Sequence, residues 1–135
     1  MKGVLDTNVV VSGLLTQGGV CAGIIDQLRM GTFQLCVNGQ IVAEYTEVIG
    51  RTELSIPAGA VSDFLDWVRH HALRVDAPLS SAVLPDESDL PFLEVTLAAE
   101  AILVTGNERH FPARGCKGAR VVSPAEFMAL SRRMA

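Results

Sequence analysis

Hydrophobic residues along the chain occur in short continuous runs and in runs with helical spacing. The continuous runs predict strands at residues 2–6, 33–37, 73–76, 101–106 and 119–124. Helical spacing occurs at 11–16, 20–30, 38–49, 57–71, within 86–101, and from 124 onward. Strands that alternate with helices are typical of a parallel sheet covered on both faces. The pattern predicts an α/β fold, a three-layer α/β/α sandwich with a central, mainly parallel sheet.

Turn and capping residues separate these elements. Gly18 and Gly19 divide the first two helices, Asn38 is placed to cap the third, and Pro57 fits the first turn of the fourth. The Pro- and Ser-rich segment 77–85 predicts a loop. With 135 residues and no internal repeat or long linker, the chain is expected to form a single domain.

Composition limits the possible classes of protein. Apolar residues make up 49% and charged residues 19% of the chain, which excludes a disordered protein and favours a core-rich soluble domain. The net charge of −4 gives no general attraction to nucleic acid, so binding to a polyanion would need a local basic patch, a bound cation, or both.

The cysteines and the N-terminal region favour a cytoplasmic protein. The three cysteines are far apart and include no CxxC pair, so we expect reduced thiols and no zinc site. Polar residues and glycines interrupt the uncharged stretch 7–25, so it predicts neither a membrane span nor a signal peptide. We therefore expect an unprocessed protein with no membrane partner.

Polar residues follow two of the most apolar strands. Asp6 ends the first strand, and Thr105, Gly106 and Asn107 end the strand at 101–106. Functional groups in a parallel sheet gather beyond the carboxyl ends of the strands, so these turns lie together if the two strands are neighbours. A buried Asp6 carboxylate would cost several kcal/mol without a compensating partner.

Further acids occur on two predicted helices. Glu44 lies at the edge of the apolar stripe of helix 38–49, either facing the site or reaching solvent, whereas Glu47 lies on the solvated side. Asp86 and Asp89 share one face of a helix start, where capping the helix is the alternative role. Glu94 is expected to lie at the core boundary, with support of the site as the alternative.

Together these positions predict a metal site. Asp6, Glu44, Asp89 and Asp86 would place several carboxylates at one pole, with the Asn107 amide beside them. Clustered carboxylates repel one another unless a cation is bound, and oxygen ligands without Cys or His suit Mg²⁺ or Mn²⁺.

Three segments carry the polar and acidic positions in order: "VLDTNVVVSGLL", "IVAEYTEVI" and "PDESDLPFLEVTLAAEAILVTGNERHFP". They resemble, in turn, the opening strand and turn, the second acidic motif, and the third and fourth motifs of PIN-domain ribonucleases. The order of the motifs extends over nearly the whole chain, which suggests a single PIN-like domain over residues 1–135. The sequence pattern "FLE…LVTGN..HFP" is most similar to that of a subgroup of type II toxin–antitoxin toxins (VapC-like).

The resemblance implies a divalent-metal-dependent endoribonuclease, using Mg²⁺ or Mn²⁺, that a cognate antitoxin protein holds in check. The matching catalytic positions are Asp6, Glu44, Asp89 and Asn107. Asp6 and Asp89 would bind the metal directly, Glu44 would bind it or hold the activating water, and Asp86 and Asn107 would serve a second metal or an outer position. Many relatives carry aspartate where this chain has Asn107, which lowers the negative charge of the site. Homodimers are common in such families.

Residues around these positions have supporting roles or purely structural ones. Thr7, Asn8 and Thr105 are expected to be turn residues that satisfy backbone groups, with hydrogen bonds to the carboxylates as the alternative. His110 is expected to pack with its neighbours Phe111 and Pro112, with substrate contact as the alternative. The best candidates for an RNA-backbone patch are Arg109, Arg114, Lys117 and Arg120.

Two other functions remain open from the sequence. One is a non-catalytic PIN-like module that binds RNA or a protein, which the neutral Asn107 would permit. The other is a phosphoaspartyl phosphohydrolase. It is disfavoured because Asn8 stands where a second acid is needed and Lys117 is not placed as the catalytic lysine.

Overall fold

The computed structural model describes residues 1–78 and 82–134 and confirms the predicted alternation of strands and helices. The strands are β1 (Lys2–Leu5), β2 (Gln34–Val37), β3 (Leu73–Arg74), β4 (Ile102–Val104) and β5 (Arg120–Val122). The helices are α1 (Thr7–Leu15), α2 (Val20–Arg29), α3 (Gly39–Ile49), α4 (Ala58–His71), α5 (Leu90–Ala99) and α6 (Pro124–Met134). Short 3₁₀ turns occur at Thr52–Leu54, Glu87–Asp89, Glu108–His110 and Ala113–Gly115. Residues 79–81 of the predicted loop lie outside the described residues.

The sheet is parallel between all neighbouring strands and has the order β3-β2-β1-β4-β5. The connections β1→β2 and β3→β4 run in opposite directions across the sheet. Because such connections are right-handed, their helices cover opposite faces of the sheet. This confirms the α/β class and the three-layer arrangement. The sheet order also makes β1 and β4 neighbours, with Leu5 opposite Val104 at their carboxyl ends.

The first helix begins earlier than the predicted range 11–16. Asp6 is its N-cap, and the Asp6 Oδ1 atom accepts a hydrogen bond from Thr7 N at 2.8 Å. The helix therefore starts immediately after β1, and the apolar side chains of Val9 and Val10 belong to α1 and are buried in the core. A capping carboxylate at the end of a strand explains the correction, because it satisfies an amide at the helix start.

Two groups of helices enclose the sheet. Helix α5 packs against β1, β2 and β4, and its burial on nearly all sides fits its lack of a polar face. Elsewhere α2 packs against α1 and α6. The Phe33 and Phe127 rings meet edge to face, with centroids 4.8 Å apart. These contacts bury both central strands, β1 and β4, in the core.

Among the described residues, no single helix has the length and hydropathy of a membrane span. Helices α1 and α2 meet those criteria only as a pair, and that pair is bent by 97°. All three cysteines are free thiols, as predicted, with Cys36 and Cys116 buried and Cys21 half-buried.

Candidate metal centre at the carboxyl edge of the sheet

The turns after β1 and β4 are joined, as the sequence predicts for neighbouring strands. Asp6 N donates to the Val104 carbonyl at 2.9 Å, and Thr105 Oγ1 donates to Asp6 Oδ2 at 2.8 Å. Gly106 N donates to Asn8 Oδ1 at 3.1 Å. These bonds connect segments about a hundred residues apart in sequence and fix the Asp6 carboxylate in one orientation.

The Asp6 carboxylate is buried and only partly compensated. It accepts hydrogen bonds from Thr7 N and Thr105 Oγ1, and Asn8 Nδ2 lies 3.4 Å from Oδ2. Burial nevertheless raises the pKa of Asp6, although the Thr105 and Thr7 hydrogen bonds and the nearby His110 each lower it. Thr105 and Asn8 therefore take the alternative role, hydrogen bonding to a carboxylate.

Helix α3 brings Glu44 to the same edge. Thr7 Oγ1 donates a hydrogen bond to Glu44 Oε2, and the next residue, Tyr45, donates its hydroxyl to the Leu5 carbonyl at the end of β1. Burial raises the pKa of Tyr45 well above its usual value, and the charges of Asp6 and Glu44 raise it further. Tyr45 thus remains a protonated donor that docks α3 on β1, a role that the sequence pattern did not reveal. Glu47 lies in solvent, paired with Arg51 at 2.7 Å, as predicted.

Asp89 and Asp86 lie on the 3₁₀ turn before α5. Asp89 is buried, and its pKa rises to about 6 because of burial and the nearby Asp6 charge, although His110 lowers it. Asp86 is exposed, and its Oδ1 atom accepts hydrogen bonds from Ser88 N at 2.9 Å and Ser88 Oγ at 2.7 Å. These bonds lower the pKa of Asp86 and show that it also caps the turn.

The contact of His110 with Asp89 is a feature of this site that the sequence prediction missed. The turn Glu108–His110 carries its imidazole to Asp89, with Nδ1 2.9 Å from Asp89 Oδ2. His110 follows Asn107 by three residues, which is one turn of a 3₁₀ helix, so the two side chains lie on the same side of the turn. This spacing is the signal in the sequence that could have predicted that His110 reaches the site. The prediction that His110 packs with Phe111 and Pro112 did not include this contact.

Among the described residues, one group of side chains has ligand atoms that all lie within 4.8 Å of one another: Asp86, Asp89 and His110. Asp6 and Glu44 lie outside this group, although the charge of Asp6 reaches Asp89. Asn107 is half-buried and joins the network through its backbone amide, which donates to Thr105 Oγ1 at 3.0 Å. Glu94, expected at the core boundary, is instead buried in α5.

The donor set fits a divalent cation. The raised pKa values of Asp6 and Asp89 reflect the cost of holding two carboxylates in a poorly solvated site. A cation would offset that cost, and carboxylate oxygens are the ligands that Mg²⁺ and Mn²⁺ prefer.

Several solved structures have the same fold as this chain. A chain of VapBC2 from Rickettsia felis, bound to a promoter DNA fragment, aligns with a TM-score of 0.61 and 16% identity over 91% of this chain and 98% of that chain. VapBC-1 from nontypeable Haemophilus influenzae gives 0.61 and 15% over 93% and 99%. FitAcB from Neisseria gonorrhoeae gives 0.59 and 15% over 91% and 98%. At these identities the likeness establishes a shared fold.

Comparison of the sequence itself gives a more specific result. No curated protein matches it significantly. The sequence profile of the PIN domain matches residues 2–109. The matched segment runs from β1 through Asn107 and includes all the acidic positions described above. The resemblance noted in the sequence is thereby confirmed, and the chain belongs to the PIN domain family.

Proposed function

We propose that the protein is a divalent-cation-dependent endoribonuclease that acts as the toxin of a type II toxin–antitoxin pair. The observation that carries the proposal is the gathering of Asp6, Glu44 and Asp89 at the carboxyl edge of the sheet of a PIN domain. RNA as the substrate follows from the resemblance of the motifs to PIN-domain ribonucleases.

The proposed cation, Mg²⁺ or Mn²⁺, is held by Asp6 and Asp89. Glu44, Asp86 and Asn107 supply further ligands or hold its water molecules. When bound, the cation lowers the pKa of a water molecule and offsets negative charge on the scissile phosphate. No Ser, Cys or His arrangement with a nucleophile and base is apparent among the described residues at this edge, which favours hydrolysis by water.

The protein contributes orientation to this chemistry. Asp6 is fixed by Thr105 and by the amide of Thr7, and Glu44 is fixed by the Thr7 hydroxyl. Because these contacts exist before substrate binds, little reorganisation is needed at the reacting phosphate. Glu44, half-buried at the edge of α3, orients the attacking water and accepts its proton.

The proposed RNA contacts lie in the segment after β4. Arg109, Arg114, Lys117 and Arg120 are all exposed. Arg109 lies on the turn between Asn107 and His110, and Arg114 and Lys117 follow it along the chain. Arg120 begins β5 and pairs with Ile102 at the start of β4, so it lies toward the opposite, amino edge of the sheet. We therefore propose Arg109, Arg114 and Lys117 as the contacts to the phosphates of the RNA. On a chain of net charge −4, this local concentration of cations is the means by which RNA would be attracted.

The proposed partner is a cognate antitoxin protein. Several of the structures with the same fold belong to VapBC and FitAB assemblies, which supports this partner. Assembly as a homodimer and a cytoplasmic location stay predictions from the sequence.

Cleavage of single-stranded RNA by the purified protein tests the proposal. We expect cleavage that EDTA abolishes and that added Mn²⁺ or Mg²⁺ restores. Asp6→Ala and Asp89→Ala should remove activity, while Glu47→Ala should cleave normally because Glu47 faces solvent on the other side of α3. Circular dichroism spectra of all variants establish that each is folded.

The same assay separates the enzyme from a non-catalytic module, the alternative that the neutral Asn107 permits. A module would bind RNA without cutting it under any metal condition. Cleavage that persists in EDTA, or equal cleavage by Asp6→Ala and the unmodified protein, would overturn the proposed mechanism.

A further inference from the structure

The cluster of Asp86, Asp89 and His110 has the geometry of a ligand set. One candidate ligand atom from each side chain lies within 4.8 Å of the other two. His110 Nδ1 and Asp89 Oδ2 are 2.9 Å apart. Neighbouring ligands around an octahedral ion, with bonds of about 2.1 Å, lie about 3 Å from each other. The two atoms therefore have the spacing of adjacent ligands of one cation.

Local structure holds each member of the cluster in place. The Asp86 carboxylate is fixed by Ser88 and has a lowered pKa, so it is an anion at neutral pH. Asp89 ends the same 3₁₀ turn and is buried. The His110 amide donates to the Asn107 carbonyl at 3.1 Å, which fixes the backbone of its turn. The His110 side chain is 41% exposed, so an ion can reach the ring from solvent.

We propose that His110 binds the cation directly through Nδ1, together with Asp89 and Asp86, and that this nitrogen makes the site prefer Mn²⁺ to Mg²⁺. The proposal rests on the proposed function, because it concerns the same cation. It goes beyond the motif positions, which supply only carboxylates and the Asn107 amide. Mg²⁺ strongly prefers oxygen ligands and keeps its water, whereas imidazole is a good ligand for transition metals.

A purely positioning role for His110 would leave a different signature. If the ring only orients Asp89 by a hydrogen bond, its removal lowers the affinity for both ions by the same factor, because both ions use the same oxygen ligands. A nitrogen ligand contributes to Mn²⁺ binding far more than to Mg²⁺ binding. The ratio of the two dissociation constants therefore separates the two roles.

Calorimetric titration of the full-length protein with Mn²⁺ and with Mg²⁺ gives this ratio. In His110→Gln, we expect the Kd for Mn²⁺ to rise about tenfold or more and the Kd for Mg²⁺ to change less than about threefold. The matched control is His70→Gln, which removes an exposed histidine whose ring contacts the Asp66 carbonyl on α4. The control should bind both ions as the unmodified protein does. An equal rise in the Kd values for Mn²⁺ and Mg²⁺ in His110→Gln would overturn the proposal.

Electron paramagnetic resonance of the Mn²⁺-loaded protein tests the bond itself. We expect nitrogen coupling to Mn²⁺ in the unmodified protein and in His70→Gln, and its loss in His110→Gln. Mn²⁺ binding without nitrogen coupling, or coupling that persists in His110→Gln, would overturn the assignment of His110. If such a protein still cuts RNA in a cation-dependent reaction, the proposed function stands and only the ligand assignment fails. A protein that binds neither ion would overturn both.

Discussion

At the carboxyl edge of the sheet, burial makes the ionised forms of two carboxylates unfavourable. Asp6 and Asp89 both have raised pKa values, with burial as the first cause. Hydrogen bonds from Thr7 and Thr105 to Asp6 reduce the cost without removing it. A site that is electrostatically unfavourable without a ligand is typical of positions selected for function instead of stability.

Asp89→Asn should stabilise the cation-free protein. The folded-state pKa of Asp89, about 6, lies above its usual value of 3.8, so at neutral pH the folded protein bears a cost for the ionised form that the unfolded chain does not. An amide of the same shape removes that cost. Thermal denaturation in EDTA should show an increase in stability of about 1–3 kcal/mol. Asp66→Asn, an exposed aspartate on α4, is the control and should show no such gain.

When Mn²⁺ is added, the unmodified protein should become more stable than Asp89→Asn, because it gains cation-binding energy that the variant lacks. A lower melting temperature for Asp89→Asn in EDTA would mean instead that its carboxylate is a structural hydrogen-bonding group.

Asn107→Asp should tighten cation binding. The backbone of Asn107 is tied to Thr105 at the metal edge, so an added carboxylate there increases the negative charge around the ion. The Kd for Mn²⁺, measured by calorimetry, should fall several-fold. Gln17→Glu adds the same charge at the exposed loop after α1, and its Kd should stay unchanged. Equal Kd values for Asn107→Asp and the unmodified protein would show that Asn107 serves only as a turn residue.

At the scale of elements, close packing of the helices decides where the site residues end up. Gly13 of α1 faces α2 so closely that a Cβ atom would lie 2.7 Å from Ile25 Cγ1 and 2.9 Å from the Cys21 carbonyl oxygen. This contact fixes α1, whose first turn carries Thr7 and is capped by Asp6. Helix packing and site geometry are therefore coupled through α1.

Gly13→Ala should destabilise the protein by about 1–3 kcal/mol, because the backbone carbonyl of Cys21 must move to admit the methyl group. Gly59→Ala is a matched control on α4, where a Cβ atom would meet nothing within 4 Å. It should be stabilising by about 0.4–1 kcal/mol, because the unfolded chain has less conformational freedom with alanine than with glycine at this position in the first turn of α4. Chemical denaturation of both variants measures the difference. Similar effects for the two would mean that α1 and α2 are free to separate.

The last helix starts with a capping box that should make stability depend on pH. Glu126 N donates to Ser123 Oγ and Ser123 N donates to Glu126 Oε1, each at 3.1 Å. These bonds lower the pKa of Glu126 below its usual 4.5, so their stabilisation is present above that pH and is lost as the pH falls through the lowered value. Glu126→Gln should melt lower than the unmodified protein at neutral pH. The two melting temperatures should converge in acid, and a constant difference at all pH values would contradict the ionic contribution.

At the scale of the whole molecule, charge is divided between an acidic edge and a basic segment. The chain has a net charge of −4 and an isoelectric point near 5.3, yet the segment from Arg109 to Arg120 is rich in exposed cations. A polyanionic substrate would be repelled by most of the surface and attracted by this segment. The distribution therefore predicts binding that is local and strongly dependent on salt.

Neutralising Arg109, Arg114 and Lys117 with glutamine should weaken binding of single-stranded RNA. Each lost phosphate contact should reduce the slope of log K against log salt by about 0.7. Neutralising Arg51 and Arg69, which are paired with Glu47 and Asp66, serves as the control and should leave the slope unchanged. Filter binding at several salt concentrations measures both. An unchanged slope in the triple variant would place the RNA elsewhere.

Much of this protein could be predicted from local sequence. Apolar runs and helical spacing gave the strands and helices, because burial imposes those periods on any chain. Asn38 and Asp86 were recognisable as caps, since capping depends on residues only two or three positions away. The ordered acidic motifs identified the family, which the profile match over residues 2–109 confirms.

Tertiary structure alone decided which side chains meet. The sheet order places β1 beside β4, so Thr105 reaches Asp6 across 99 positions of sequence. A short turn brings His110 to Asp89, and the all-round burial of α5 carries Glu94 inside. Side-chain periodicity encodes which face of an element is buried. The partner of that face depends on strand order and register, which are set by the packing of the whole chain.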